Sequence, residues 1–333
     1  MFDGPAPRLF GLPPGADFPK ELLAGLEQRL SGQAPEAWAK VEIYVNTQRM
    51  RRRLVGLFDA GPPRLMPRIR LVTELGAIDA LPPAVPPLRR RLELSRLVAT
   101  LLEQQPDLAP SAALFDLADS LAALMDEMQG EGVPPEVLHD LDVSHLSAHW
   151  DRTRRFLGIV ERFFGAAGRD TLDAEARRRL AVERLAERWA SAPPDHPVIV
   201  AGSTGSRGAT ALFMEAVARL PQGAVVLPGF DFDQPAHVWD SMDDAMTAED
   251  HPQYRFRRLT EALGLTPRDV RAWSAGTAPN PDRNRLVSLA LRPAPVTDHW
   301  LDEGPALTGL AAATGNVALV EAPSPRAEAL AIA

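Results

Sequence analysis

Chemistry in this chain would gather at turns that follow short apolar runs. Gly11-Leu12-Pro13-Pro14-Gly15-Ala16-Asp17 lies between an apolar run at residues 8–12 and an amphipathic stretch at residues 18–30. Strand, Gly-containing loop and helix in that order form the layout that holds nucleotide phosphates on helix N-terminal amides. A working phosphate loop reads G-x-x-x-x-G-K-[ST], because the Lys neutralises the terminal phosphates and the hydroxyl holds magnesium. Here Ala16 and Asp17 follow Gly15, and the chain's two lysines, Lys20 and Lys40, stand elsewhere among 36 basic residues. Pro13 and Pro14 remove two backbone donors, and Asp17 adds an anion where phosphates would lie. The loop is expected to hold no nucleotide, and neither a cofactor nor catalysis is expected of this chain.

A second turn supports a rival chemistry. Gly202-x-x-Gly205-x-x-Gly208 follows an apolar run at residues 197–201, and Asp231 closes the next run. This imitates a dinucleotide fingerprint and suggests an NAD(P)-binding reductase. The Tyr-x-x-x-Lys pair of such reductases is missing, since Arg258 stands four residues after Tyr254. His145 and His149 have the spacing of two metal ligands on one helix face but enclose no Glu, and read as surface histidines. Asp231 and Asp233 read as a solvated loop, so no metal is expected. Arginine clusters at residues 49–53, 89–91, 152–155, 177–179 and 255–258 each read as solvated helix faces. Only the first, joined by Arg68 and Arg70, stands above that reading.

The elements that would position these turns follow from pattern. Continuous apolar runs recur at residues 40–45, 68–72, 197–201, 224–227 and 316–320, as in parallel strands buried on both faces. Helix signals follow most of them: Asn46-Thr47 as a cap with a helix to residue 58, and a Gly/Ser turn with a helix to residue 220. Alternation of this kind predicts an α/β doubly wound domain. Residues 83–194 read as an all-helical insertion. One helix from Ser111 aligns Leu114, Leu117, Leu121, Leu124 and Met128 before Gly130 stops it; a second aligns Leu146, Trp150, Leu157, Val160 and Phe164; a third is capped near Asp173. Residues 231–315 read as a loose connector with short helices at 254–263 and 283–291. Residues 316–333 read as a strand and an unterminated helix, the start of a following domain. At 333 residues the chain has room for roughly two domains.

Composition narrows the function classes. The chain has no Cys, hence no disulfide, thiolate nucleophile or Cys-ligated metal. No run of about 18 apolar residues and no signal segment is seen, which predicts a cytoplasmic protein without membrane contact. A net charge of −8 argues against a nucleic-acid coat but leaves room for a local basic groove.

Several strings in order carry a family resemblance: Val41-Glu-Ile-Tyr-Val-Asn-Thr-Gln-Arg49, Pro67-Arg-Ile-Arg-Leu71, Val198-Ile-Val-Ala-Gly-Ser-Thr-Gly-Ser206, Leu220-Pro-Gln-Gly-Ala-Val-Val-Leu-Pro-Gly229, His251-Pro-Gln-Tyr254 and Val320-Glu-Ala-Pro-Ser-Pro-Arg-Ala-Glu-Ala-Leu330. Over essentially its whole length the chain resembles the N-terminal third of the AddB family, a subunit of the AddAB helicase-nuclease that processes double-strand DNA breaks. The resemblance implies a RecA-like, superfamily 1 helicase-like core at residues 1–82 and 195–315, with residues 83–194 as the inserted helical subdomain. It implies single-stranded or broken double-stranded DNA and an AddA-type motor subunit, in a heterodimer, as partners.

Carried over residue by residue, Asn46, Thr47, Gln48 and Arg49 sit where such helicases meet the DNA backbone, with Arg68 and Arg70 at the neighbouring strand. The helicase acid pair is replaced by Gly202-Ser203-Thr204. Gln234, in Gly229-Phe-Asp231-Phe-Asp233-Gln234, resembles a phosphate-sensing Gln with nothing to sense. Ser203, Thr204 and Ser206 are candidates for reading a regulatory sequence in the passing strand. The expected function is a non-catalytic DNA-guiding module, and a pure protein-interaction scaffold is the third reading.

Overall fold

The computed structural model describes residues 1–77, 81–106, 110, 113–137, 172–206 and 208–332. Its centre is an open sheet of six strands, all parallel, in the order β3-β2-β4-β5-β1-β6. The strands are β1 (Leu9–Gly11), β2 (Glu42–Val45), β3 (Arg68–Leu71), β4 (Val198–Ala201), β5 (Gly223–Leu227) and β6 (Arg271–Ala272). Helix α1 (Phe18–Leu30) follows β1, α2 (Gln48–Asp59) follows β2, and among the described residues three long helices lie between β3 and β4: α3 (Pro87–Gln104), α4 (Leu114–Glu131) and α5 (Ala174–Ser191). Then come α6 (Gly208–Arg219) between β4 and β5, α7 (Tyr254–Ala262) before β6, and α8 (Pro281–Ala290) and α9 (Pro325–Ile332) after it. Shorter helical turns fill the remaining connections.

Alternation along the strands explains the layering, since successive side chains leave opposite faces of a sheet. Ile43, Val45, Ile199, Ala201, Ala224 and Val226 meet Leu22, Leu26, Leu30, Met50 and Leu54 of α1 and α2 on one face. Tyr44, Val198, Val200, Val225 and Leu227 meet Val182 and Leu185 of α5 and Phe213, Met214 and Val217 of α6 on the other. Helices α3 and α4 form a separate small core from Leu94, Val98, Leu102, Leu121, Met125 and Met128. Helix α5 therefore belongs to the cover of the sheet as well as to the helical block. Among the described residues no helix is long and apolar enough to cross a membrane.

Four expectations need correction or fall outside the described residues. Residues 316–320 form no strand: Val317, Leu319 and Val320 are exposed, and no strand pairs with them. Residues 231–315 are no loose connector, because they supply β6 and bury Phe256 and Trp273 in the core. Helix α4 runs past Gly130 to a left-handed Gly132 at φ 71°, whose missing Cβ leaves room for Arg179. Ser111 and the proposed helix through Leu146 and Phe164, with His145 and His149, lie outside the described residues.

Trp273 shows how tightly the far end of the chain is built in. Its indole lies against Phe10 in an edge-to-face contact, and its Nε1 donates to the Leu22 carbonyl of α1 at 3.0 Å. A Cβ on Gly25 of α1 would come within 2.2 Å of that nitrogen. Gly25→Ala is expected to destabilise the protein by about 1–3 kcal/mol through overpacking. Gly56→Ala on α2, where a Cβ meets nothing within 4 Å, should be neutral or stabilising by up to about 1 kcal/mol. Urea denaturation of the two variants checks this, and equal midpoints would refute the packing argument.

Candidate nucleic-acid interface

In open α/β sheets ligands bind beyond the carboxyl ends of the strands, where helix N-termini point. Three of the helices that begin at that edge, α1, α2 and α6, treat their positive ends differently. At α1 the N-terminus is occupied by Asp17, whose carboxylate accepts from the Lys20 amide at 3.4 Å and pairs with Arg53 at 3.3 Å. The loop before it is closed from two sides. Phe230 N–H donates to the Leu12 carbonyl at 2.9 Å, and Asn284 of α8 donates to the Pro14 carbonyl at 3.0 Å. Gly11 is needed there for close approach, since a Cβ would fall 2.7 Å from Phe230. The chain's own carboxylate thus sits where a phosphate would.

At α6 the first amide, of Gly208, donates to Glu131 Oε1 at 2.8 Å, and the Gly130 carbonyl packs where a Gly208 Cβ would be. A pyrophosphate on the Gly202, Gly205, Gly208 turn would have to displace that carboxylate. Asp231, the proposed ribose partner, is buried, and its carboxylate accepts from the Asp233 amide at 3.0 Å. Asp233 itself is exposed.

Helix α2 is the exception. Its cap is the neutral Thr47 hydroxyl, accepting from Met50 N at 3.1 Å, and no acidic residue lies in its first turn. The turn instead presents Asn46, Gln48 and Arg49, all exposed, with Arg52 one turn on. Neither Arg49 nor Arg52 has an ion-pair partner among the described residues, whereas Arg51 pairs with Glu74 at 3.6 Å and Arg53 with Asp17. Cations at a helix N-terminus oppose the macrodipole by roughly 0.3–1 kcal/mol each. An arrangement that costs stability without an anion is one that an anion would relieve.

The loop after β4 meets this turn. Gly202 has φ 79°, and its Cα faces Phe18 and Asn46, where a Cβ would stand 3.3 and 3.6 Å away. The other predicted residues divide. Ser203 is buried and its hydroxyl accepts from Gly205 N at 3.3 Å; Thr204 and Ser206 are exposed but line a cleft of about 1150 Å³ on the side of α4. That cleft is acidic, with Asp126, Glu127, Glu131, Glu175, Glu215 and Glu249 facing Arg255 and Arg258. Burial pushes the Glu215 carboxyl up.

Arg68 and Arg70 are not brought to α2. Ile69 and Leu71 pack on the α1/α2 face, so the alternating Arg68 and Arg70 leave from the opposite one. Arg70 Nε lies 2.6 Å from Glu42, whose carboxylate also accepts from Tyr44 Oη at 2.9 Å and faces His196 Nε2 at 3.2 Å. Burial, and behind it Glu42, push the Tyr44 phenol up. Arg70 thus serves an ion-pair cluster at the strand starts.

No protein-family model and no curated protein matches this chain.

Sequence reasoning misses a polar layer beneath the β5 loop. Gln253 accepts from Asp231 N at 3.0 Å and donates to the Gly229 carbonyl at 2.9 Å, while its own amide donates to His251 Nδ1 at 3.1 Å. Gln234 is buried there with neither amide atom partnered among the described residues. The string His251-Pro-Gln-Tyr254 is visible, but nothing in it says that it folds under residues 229–234. Burial, then the Arg292 charge, push the His251 imidazole down from 6.5 to about 4. The unfolded chain takes up that proton near pH 6.5 and the folded chain only near 4. Stability from this group is complete above pH 6.5 and falls as pH drops towards 4, by at most about 3 kcal/mol. His251→Asn, which keeps an acceptor, should flatten the fall in urea stability across that window; an unchanged slope would exclude His251 as its source.

Proposed function

We propose that this chain is a non-catalytic, helicase-like module with a RecA-like core that guides single-stranded DNA. A partner motor subunit supplies ATP-driven motion, as the resemblance to the AddB family implies. One observation carries the reading: among the described residues α2, unlike α1 and α6, has no carboxylate at its positive end and adds Arg49 and Arg52, which have no ion-pair partner there. A phosphate backbone satisfies both the helix end and the arginines, and such contacts position a strand without reading its sequence. Asp17 at α1 and the Asn284 contact on its loop support the absence of nucleotide chemistry, and Glu131 at α6 counts against the dinucleotide reading. The all-parallel sheet, with helices α3 to α5 placed between β3 and β4, is compatible with such a core.

Asn46, Thr47, Gln48, Arg49 and Arg52 form the proposed contact, and Arg70 is left out because Glu42 holds it. Arg49→Ala with Arg52→Ala should weaken binding of labelled single strands equally for unrelated sequences. The slope of log affinity against log salt should flatten by about 0.7 for each phosphate that the variant no longer neutralises. Fluorescence anisotropy with this chain, and with the two-subunit assembly, measures both; unchanged affinity and slope would favour the interaction-scaffold reading. Calorimetry with magnesium and ATP should give no binding in the micromolar range, and a magnesium-dependent heat would overturn the non-catalytic assignment.

A further inference from the structure

His237, His299 and Glu303 come from two short helical segments, Ala236–Asp240 and His299–Glu303, and meet at one point. His237 Nε2 lies 3.2 Å from His299 Nδ1 and 3.9 Å from Glu303 Oε1, and His299 Nδ1 lies 3.6 Å from that same oxygen. A single hydrogen bond between the imidazoles accounts for the shortest contact and leaves Oε1 without a close donor from either ring. A tetrahedral ion with bonds of about 2.0–2.1 Å sets its ligand atoms roughly 3.3–3.4 Å apart, within the range of the three distances. The rings meet edge to face at 79° rather than stacking, so that two ring nitrogens converge.

The carboxylate is also held in place. Arg292, itself buried, donates to Glu303 Oε2 at 2.7 Å and is anchored to Ser288 by two further bonds of 3.3 Å. That leaves Oε1 turned to the histidines, the outer-shell support that metal-binding carboxylates and imidazoles usually have. His237 is exposed, so a fourth position faces solvent. Two imidazoles and one carboxylate suit zinc-class ions rather than magnesium or calcium, which prefer all-oxygen shells.

We propose that His237, His299 and Glu303 bind one divalent transition ion of the zinc class, with water in the fourth position, clipping residues 299–303 to the segment that follows β5. The site is independent of the DNA-binding reading.

The test is titration of the metal-free chain with Zn²⁺ against a chromophoric chelator, with Co²⁺ absorption as a reporter of tetrahedral geometry. One ion per chain, a tetrahedral Co²⁺ spectrum and a raised melting temperature are expected. His237→Gln with His299→Gln should abolish all three while leaving the metal-free melting temperature and circular dichroism unchanged, because His237 is exposed and His299 is only partly buried. Should that pair unfold the chain, His237→Gln alone, at the most exposed ligand, must still weaken binding. His145→Gln with His149→Gln should change nothing. Binding that survives the first pair, is lost only with the second, or is no tighter for Zn²⁺ than for Mg²⁺ overturns the proposal.

Discussion

The electrostatics of helix N-termini governs the carboxyl edge of this sheet. A parallel sheet delivers its helices with their positive ends at one edge, so each needs a negative partner from solvent, ligand or chain. Asp17 answers for α1 and Glu131 for α6. Both are carboxylates, and each fills a place where an oxyanion would otherwise settle. Glu131 also ties the end of α4 to the core, an attachment strengthened by Arg179 donating to the Gly130 carbonyl. One contact therefore closes an anion site and fixes the helical block.

Asp17 is legible in the sequence because it lies within the turn it fills. Glu131 is not, since 77 residues separate it from Gly208 and a Glu at the end of a helix reads as a solvated residue. The same distinction runs through the fold. Strands β2, β4 and β5 show as apolar runs because both of their faces are covered, whereas the edge strand β3 buries neither of its arginines. Strand β6 is two exposed residues, Arg271 and Ala272, and pairs with β1 only because Trp273 anchors the chain beside it. Val317-Ala-Leu-Val320 has the opposite problem: it reads as a buried strand yet finds no sheet edge to join. Apolar pattern reports what could be buried, and a strand also needs a hydrogen-bonding neighbour.

The candidate interface divides in the same way. Asn46, Thr47 and Arg49 are neighbours in sequence, and a capped helix start keeps them neighbours in space. Grouping Arg68 and Arg70 with them by strand adjacency ignores the face from which a side chain leaves. A period of two sends them towards Tyr44 and Glu42. There Arg70 balances a buried carboxylate, and freeing it to meet a ligand would leave Glu42 beside the Tyr44 phenol without its counter-charge.

The distribution of charge constrains any path for a polyanion over this surface. The cleft bounded by α4, the turn before α6 and α7 offers space, but of the six carboxylates that line it only Asp126, Glu175 and Glu249 are matched by Arg90, Arg178 and Arg255, which leaves Glu127, Glu131 and Glu215 without an ion-pair partner among the described residues. A phosphate backbone entering there would meet like charges in a partly desolvated setting, where repulsion is least screened. On the α2 side, among the described residues, Arg49 and Arg52 stand without an ion-pair partner beside a helix start with no acidic residue in its first turn. Cavity size and charge thus point to different places. For a ligand whose affinity comes mainly from phosphate neutralisation, charge decides, and the proposed strand runs across the start of α2 rather than through the larger opening.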